Sequence, residues 1–173
     1  MGKVTNDKYL RVAKINGIFG LGGWLKLYPY AGFDQLAMLK NITLADEKSH
    51  EIVRETKVDE LNTASGKARI KLSGVSTPEA AEELSGLEIW VERAKFKLKK
   101  DEYPVQDLMG CEVIYNGEVI GVVDGIYTLA QDVLEVKLTG SSDTVLIPMV
   151  ESFVLDVDIE HRKVVVDRVD ELR

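Results

Sequence analysis

Cysteine is almost missing from this chain. Cys111 is the only one in 173 residues, so no internal disulfide can form. Histidine is nearly as scarce: His50 and His161 stand alone, with no Cys, His or carboxylate cluster at the spacing a zinc site needs. No apolar run approaches the ~18 to 20 residues that a membrane span requires. The opening residues, Met1-Gly2-Lys3-Val4-Thr5-Asn6-Asp7-Lys8, carry no hydrophobic signal core. These absences lead us to expect a cytoplasmic chain with no membrane partner, no metal centre and no resident cofactor. What is present is a globular composition, 45% apolar and 29% charged, which argues against disorder over most of the length.

The net charge of −7 conceals an uneven distribution. Residues 1–100 hold 17 basic and 13 acidic side chains, whereas residues 101–173 hold 5 basic and 16 acidic ones. The sign changes abruptly in Lys95-Phe96-Lys97-Leu98-Lys99-Lys100-Asp101-Glu102. A charge boundary without apolar periodicity reads as an interdomain linker. The expected organisation is an N-terminal domain over residues 1–94, a linker over 95–102 and a C-terminal domain over 103–173.

Strand signals dominate both halves. Residues 9–15, 24–30, 42–44, 51–58, 68–72 and 87–91 are rich in β-branched and aromatic side chains and are bounded by Gly, Asp, Asn or Ser. In residues 87–92, Leu87, Ile89 and Val91 alternate with polar or aromatic neighbours, the period-2 pattern of a strand with one buried face. A single helix is expected over residues 76–86, where Ser76 or Thr77 can cap, Pro78 suits the first turn and Gly86 can end the helix. The second half continues with strands at 112–115, 118–123, 133–138, 144–147, 153–157 and 163–166. Asn116-Gly117 joins the first two as a type I′ hairpin turn. Six short strands in so few residues fit a small barrel better than a layered α/β fold. The fold class is all-β with one short helix, in two small β-barrels.

Catalytic patterns are missing. His50 and His161 lie in the charged contexts Ser49-His50-Glu51 and Glu160-His161-Arg162, from which no triad can be argued. Asp156, Asp158 and Asp167 read as solvated carboxylates at strand edges. The glycine-rich segment Gly17-Ile18-Phe19-Gly20-Leu21-Gly22-Gly23-Trp24 lacks both the Gly-Lys-Ser/Thr ending of a phosphate loop and a following helix. Its glycines suit a tight strand-to-strand turn with close backbone packing. Around that turn, Lys14, Phe19 and Lys26 bring cations near an aromatic ring, the chemistry of RNA backbone contact and base stacking. At the other end of the linker, Tyr103, Asp107 and Met109 form an aromatic, acidic and apolar stretch suited to anchoring a basic protein.

Three stretches, in this order and spacing, resemble the RimM family of ribosome maturation factors. They are the glycine turn with its flanks from Val12 to Leu27, the acidic tyrosine-bearing segment from Asp101 to Val113, and a set comprising Asp132 to Val136, Val145-Leu146-Ile147-Pro148 and Val164-Val165-Val166-Asp167. The resemblance implies an N-terminal six-stranded barrel of the translation-factor type and a C-terminal PRC-type barrel. It implies a non-enzymatic assembly factor that binds the immature small ribosomal subunit, assists maturation of its head and supports processing of its ribosomal RNA. The implied protein partner is small-subunit ribosomal protein nineteen, engaged through Tyr103, Asp107 and Met109, with Lys14, Phe19 and Lys26 toward RNA. Where the family commonly has a second aromatic after the tyrosine, this chain has Pro104, and where it commonly has a cation in the glycine turn, this chain has Gly22. A monomer is expected. Two readings from other classes remain open: a flavin-binding barrel enzyme, and a PRC-barrel scaffold of a membrane complex.

Overall fold

The computed structural model describes residues 2–96, 102–128 and 130–173. It separates into two compact units, Met1–Glu102 and Tyr103–Arg173. Of the expected linker, residues 97–101 lie outside the described residues.

The first unit is a closed barrel built from β1 (Tyr9–Phe19), β2 (Trp24–Pro29), β3 (Asn41–Ala45), β4 (Ile52–Asn62), β5 (Ala68–Leu72) and β6 (Glu88–Glu92). The strand order is β1-β2-β5-β4-β3-β6, and β6 closes the ring by pairing antiparallel with both β1 and β3. Alternation explains the interior. Leu10, Val12 and Ile15 of β1, Leu25 of β2, Leu44 of β3, Ile70 and Leu72 of β5 and Ile89 of β6 are all buried in one cluster. Removing each of these side chains from water contributes about 1.5 to 3 kcal/mol. In this unit β1 and β4 each run four residues past their sequence signals. β1 continues through Gly17, with a register shift between Ile15 and Ile18, and β4 extends to Asn62 with a shift between Val58 and Glu60. Such bulges let a strand bend around a small barrel without ending it.

Among the described residues there are three short α-helices where one was expected. α1 (Phe33–Leu36) seats Leu36 in the barrel core. α2 (Pro78–Glu82) is the expected helix in shortened form. Thr77 accepts a hydrogen bond from the backbone N–H of Ala80, Pro78 opens the first turn, and Ala81 is buried. The chain then turns to Gly86, at φ +92°, whose N–H donates to the Ile15 carbonyl. β6 also carries a buried acid. One oxygen of Glu88 lies 2.9 Å from Arg11 Nη1, while Oε1 has no hydrogen-bond partner among the described residues. Burial pushes the Glu88 carboxyl above its ordinary pKa, and Arg11 opposes that shift.

The second unit begins with α3 (Val105–Leu108) and continues through β7 (Glu112–Tyr115), β8 (Glu118–Thr128), β9 (Asp132–Leu138), β10 (Thr144–Pro148), β11 (Val154–Asp158) and β12 (Lys163–Val166). These form a six-stranded, barrel-like sheet in the order β10-β9-β8-β7-β12-β11. Asn116 and Gly117 have φ of +52° and +80°, as a type I′ turn between β7 and β8 requires. β12 lies parallel to β7, the one parallel pair among the described strands. The core is made of Val113, Val123, Leu134, Val136, Ile147, Val164 and Val166, with Leu108 of α3 and Cys111 beside them.

Candidate functional site

The β1–β2 hairpin and β5 frame a groove of about 480 Å³ on the outside of the barrel. Phe19 ends β1 and remains 40% exposed. The Arg69 guanidinium lies 3.6 Å from its ring centroid, a cation–π contact. Antiparallel register sets Lys26 of β2 directly opposite Arg69 of β5. Lys67, just before β5, is exposed on the same rim, and Asn16 completes the polar lining. Among the described residues, no carboxylate lines this groove.

The hairpin turn owes its shape to glycine. Gly23 has φ +89°, and a Cβ there would lie 2.3 Å from the Val75 carbonyl oxygen. The glycines therefore serve tight turning and close backbone approach. Leu21 projects from the turn, 82% exposed.

Of the three cation-and-ring residues marked in the sequence, the fold brings Phe19 and Lys26 into one groove and leaves Lys14 out of its lining. Lys14 Nζ instead lies 2.7 Å from Glu47 Oε2, and that hydrogen bond raises the Lys14 pKa. Arg11 makes a second cationic contact on the barrel, 4.2 Å from the Tyr30 ring centroid as well as against Glu88. Lys67 and Arg69 were missed from sequence.

Tyr103, Asp107 and Met109 fall together on and around α3. Tyr103 and Met109 are half-buried and pack against the core of the second unit, and Asp107 is half-buried in the first turn of α3. Arg162 Nη2 donates to the Met109 carbonyl at 2.8 Å. The Cys111 thiol donates to the Asp107 carbonyl at 3.2 Å, and burial raises its pKa. The sequence reading also missed an apolar row on the outer face of this sheet. Val119 of β8 stands opposite Ile114 of β7, which stands opposite Val165 of β12 and then Asp156 of β11. Val119 is 47% exposed in this row, and Leu155, at the register shift of β11 beside Asp156, is 59% exposed.

Among the described residues, no group of three or more His, Cys, Asp or Glu side chains could hold a metal ion, and no helix is long and apolar enough to cross a membrane. Two small, mainly β units, one with a cationic aromatic groove and one acidic with exposed aliphatic side chains, define a class: a two-domain β-barrel protein. Comparison with known proteins makes this specific. The model of the RimM N-terminal domain matches residues 10–96, and that of the RimM PRC barrel domain matches residues 105–172. The chain belongs to the RimM family of ribosome maturation factors. Ribosome maturation factor RimM of Thermosipho africanus is 35% identical over 159 residues, spanning 90% of this chain and 88% of that one. Its counterpart in Nitrosomonas europaea is 35% identical over 167 residues, spanning 90% and 95%. A crystallised RimM from Pseudomonas aeruginosa is 28% identical with a TM-score of 0.48, covering 92% of this chain and 96% of that one.

Proposed function

We propose that this chain binds the immature small ribosomal subunit in the cytoplasm, assists maturation of its head and supports processing of its ribosomal RNA, acting by binding rather than by catalysis. The family match over both units carries this reading. Charge supports it: a net-basic first half suits ribosomal RNA, and a strongly acidic second half suits a basic ribosomal protein. In this reading Phe19 and Lys26, with Lys14 nearby on β1, face RNA. Tyr103, Asp107 and Met109 face small-subunit ribosomal protein nineteen, with the exposed aliphatic row of the second unit available to extend that contact. A monomer that holds both partners in one arrangement raises the effective concentration of each for the other, and leaves once mature contacts compete it away.

Sucrose-gradient co-sedimentation with immature and mature small subunits, at low and moderate salt, tests the proposal. Selective migration with the immature particle is expected. Equal migration with both, or absence from both, would overturn it.

A further inference from the structure

We infer that the groove between the β1–β2 hairpin and β5 is a site for one unstacked RNA nucleotide. The Phe19–Arg69 pair is the platform for its base, and Lys26 and Lys67 grip its phosphates. The inference rests on the ribosomal reading above and specifies its RNA contact.

Three observations carry it. The first is an unrelieved repulsion. Lys26 and Arg69 are direct cross-strand partners, and like charges in that position destabilise a sheet. Lys14 and Lys95 of this unit are relieved by Glu47 and Glu92 respectively. No ion pair relieves Lys26, Lys67 or Arg69 among the described residues, and no carboxylate lines their groove. An anion seated between them would remove the repulsion.

The second observation is a flat surface already in place. Arg69 is held 3.6 Å from the Phe19 ring centroid, and Phe19 as a residue remains 40% exposed. Unpaired bases stack on aromatic rings and on guanidinium planes, and here the two occur as a preassembled pair. An acidic peptide would use the cations and leave the platform idle. The third is shape. A groove of about 480 Å³ lies in the range of small-ligand sites and suits a single splayed base, whereas the stacked bases of an intact duplex offer no such group. The bulge between Ile15 and Ile18, with Gly17 at φ +104°, bends β1 beside this groove and sets Asn16 on its edge.

The test uses the full chain and fluorescence anisotropy with three probes: a labelled single-stranded oligoadenylate, the matching adenylate–uridylate duplex, and polyglutamate as competitor. The single strand should bind more tightly than the duplex. The double variant Lys26→Ser/Lys67→Ser should weaken single-strand binding about tenfold or more at low salt, and flatten the log–log salt dependence by about 1.4, two phosphates at about 0.7 each. Phe19→Ala should lose about tenfold with the salt slope unchanged. Phe19→Leu keeps apolar bulk without the ring and reads the same loss should the alanine variant unfold. Lys48→Ser, on an exposed turn, should behave as wild type. Equal affinity for duplex and single strand, retained affinity in the ring variants, or displacement of RNA by polyglutamate at matched charge would each overturn the inference. Co-sedimentation of the same proteins separates the two claims. Variants that bind oligoadenylate as wild type does, beside a wild type that travels with immature subunits, sink the groove and leave the ribosomal reading standing. The reverse pattern, groove-dependent RNA binding without subunit association, sinks the ribosomal reading and leaves the groove.

Discussion

Gly23→Ala separates the architectural role of the glycine turn from any role in binding. The new Cβ would sit 2.3 Å from the Val75 carbonyl oxygen, 2.8 Å from its carbon and 2.9 Å from Ser76 Cα. All three are backbone atoms, so no side chain can swing aside. Placing alanine at φ +89° adds about 1 kcal/mol of backbone strain, and forcing an extra carbon into a packed site adds about 1 to 3 kcal/mol. The expected loss is about 2 to 4 kcal/mol, a large share of the roughly 5 to 15 kcal/mol that holds such a domain folded. For a unit of this size that lowers the melting transition by about 10 to 25 °C. Gly22→Ala is the matched control. Its nearest neighbour would be Trp24 Cδ1 at 3.9 Å and its φ is not positive, so a change within about 0.5 kcal/mol is expected. Trp24 and Trp90, the only two tryptophans, both belong to the first unit, so their emission during thermal melting reports that unit alone. A Gly23→Ala protein that melts with wild type, or a Gly22→Ala protein that loses as much, would refute the reasoning.

Glu88 offers a pH test. Its folded pKa is raised, so the folded unit holds this proton more readily than the unfolded chain, and stability contributed by the protonated form fades as pH rises through that folded value. Glu88→Gln should therefore gain on wild type in urea unfolding from acid to neutral pH, and parallel curves would show that the site does not titrate with folding. At the proposed protein interface, Tyr103→Ala should weaken binding to ribosomal protein nineteen about tenfold or more in calorimetry. Tyr103→Phe controls for its packing against the core, and an unchanged affinity in the alanine variant would remove Tyr103 from the interface. Lys26→Ser should reduce association with immature subunits more than Lys14→Ser, and more at low salt, because Glu47 already neutralises Lys14. Equal losses would mean that the Glu47 contact opens on binding. Cys111 is buried with a raised pKa, so a disulfide reagent should label it only as the second unit unfolds, and rapid labelling of native protein would contradict that burial.

The strands were readable where a strand with one buried face writes its period into the sequence, as Ala68, Ile70 and Leu72 do in β5, whereas β6, expected from Leu87, Ile89 and Val91 to bury one face, buries Glu88 and Trp90 as well. The helix at Pro78 was readable from Thr77 and Pro78, which act on the backbone locally. α1 and α3 were not, since four residues complete barely one helical turn and leave no repeat to detect. β1 was cut short at Ile15 because Gly17 looks like a terminator, whereas here it accompanies a bulge inside a continuing strand. The candidate groove was half legible. Phe19 and Lys26 flank one hairpin and can be associated by eye. Arg69 meets them only through the β2–β5 register, and Glu47 reaches Lys14 from 33 residues away. Neither pairing leaves a local trace, so the sequence alone shows neither the Lys14–Glu47 contact nor the place of Lys67 and Arg69 in the groove.

The two sheets close in different ways, and synthesis runs in one direction. β6 completes the first barrel by Glu92, using only partners already made. In the second unit β12 must insert between β7 and β11, so that sheet stays incomplete until Lys163–Val166 has emerged. At about 5 to 20 residues per second, the roughly 70 residues between these events take about 4 to 15 s. During that interval the first unit of a nascent chain has every strand of its barrel, while the second unit still has an open sheet. A factor proposed to help ribosomes assemble thus acquires its two surfaces in sequence, the cationic one first.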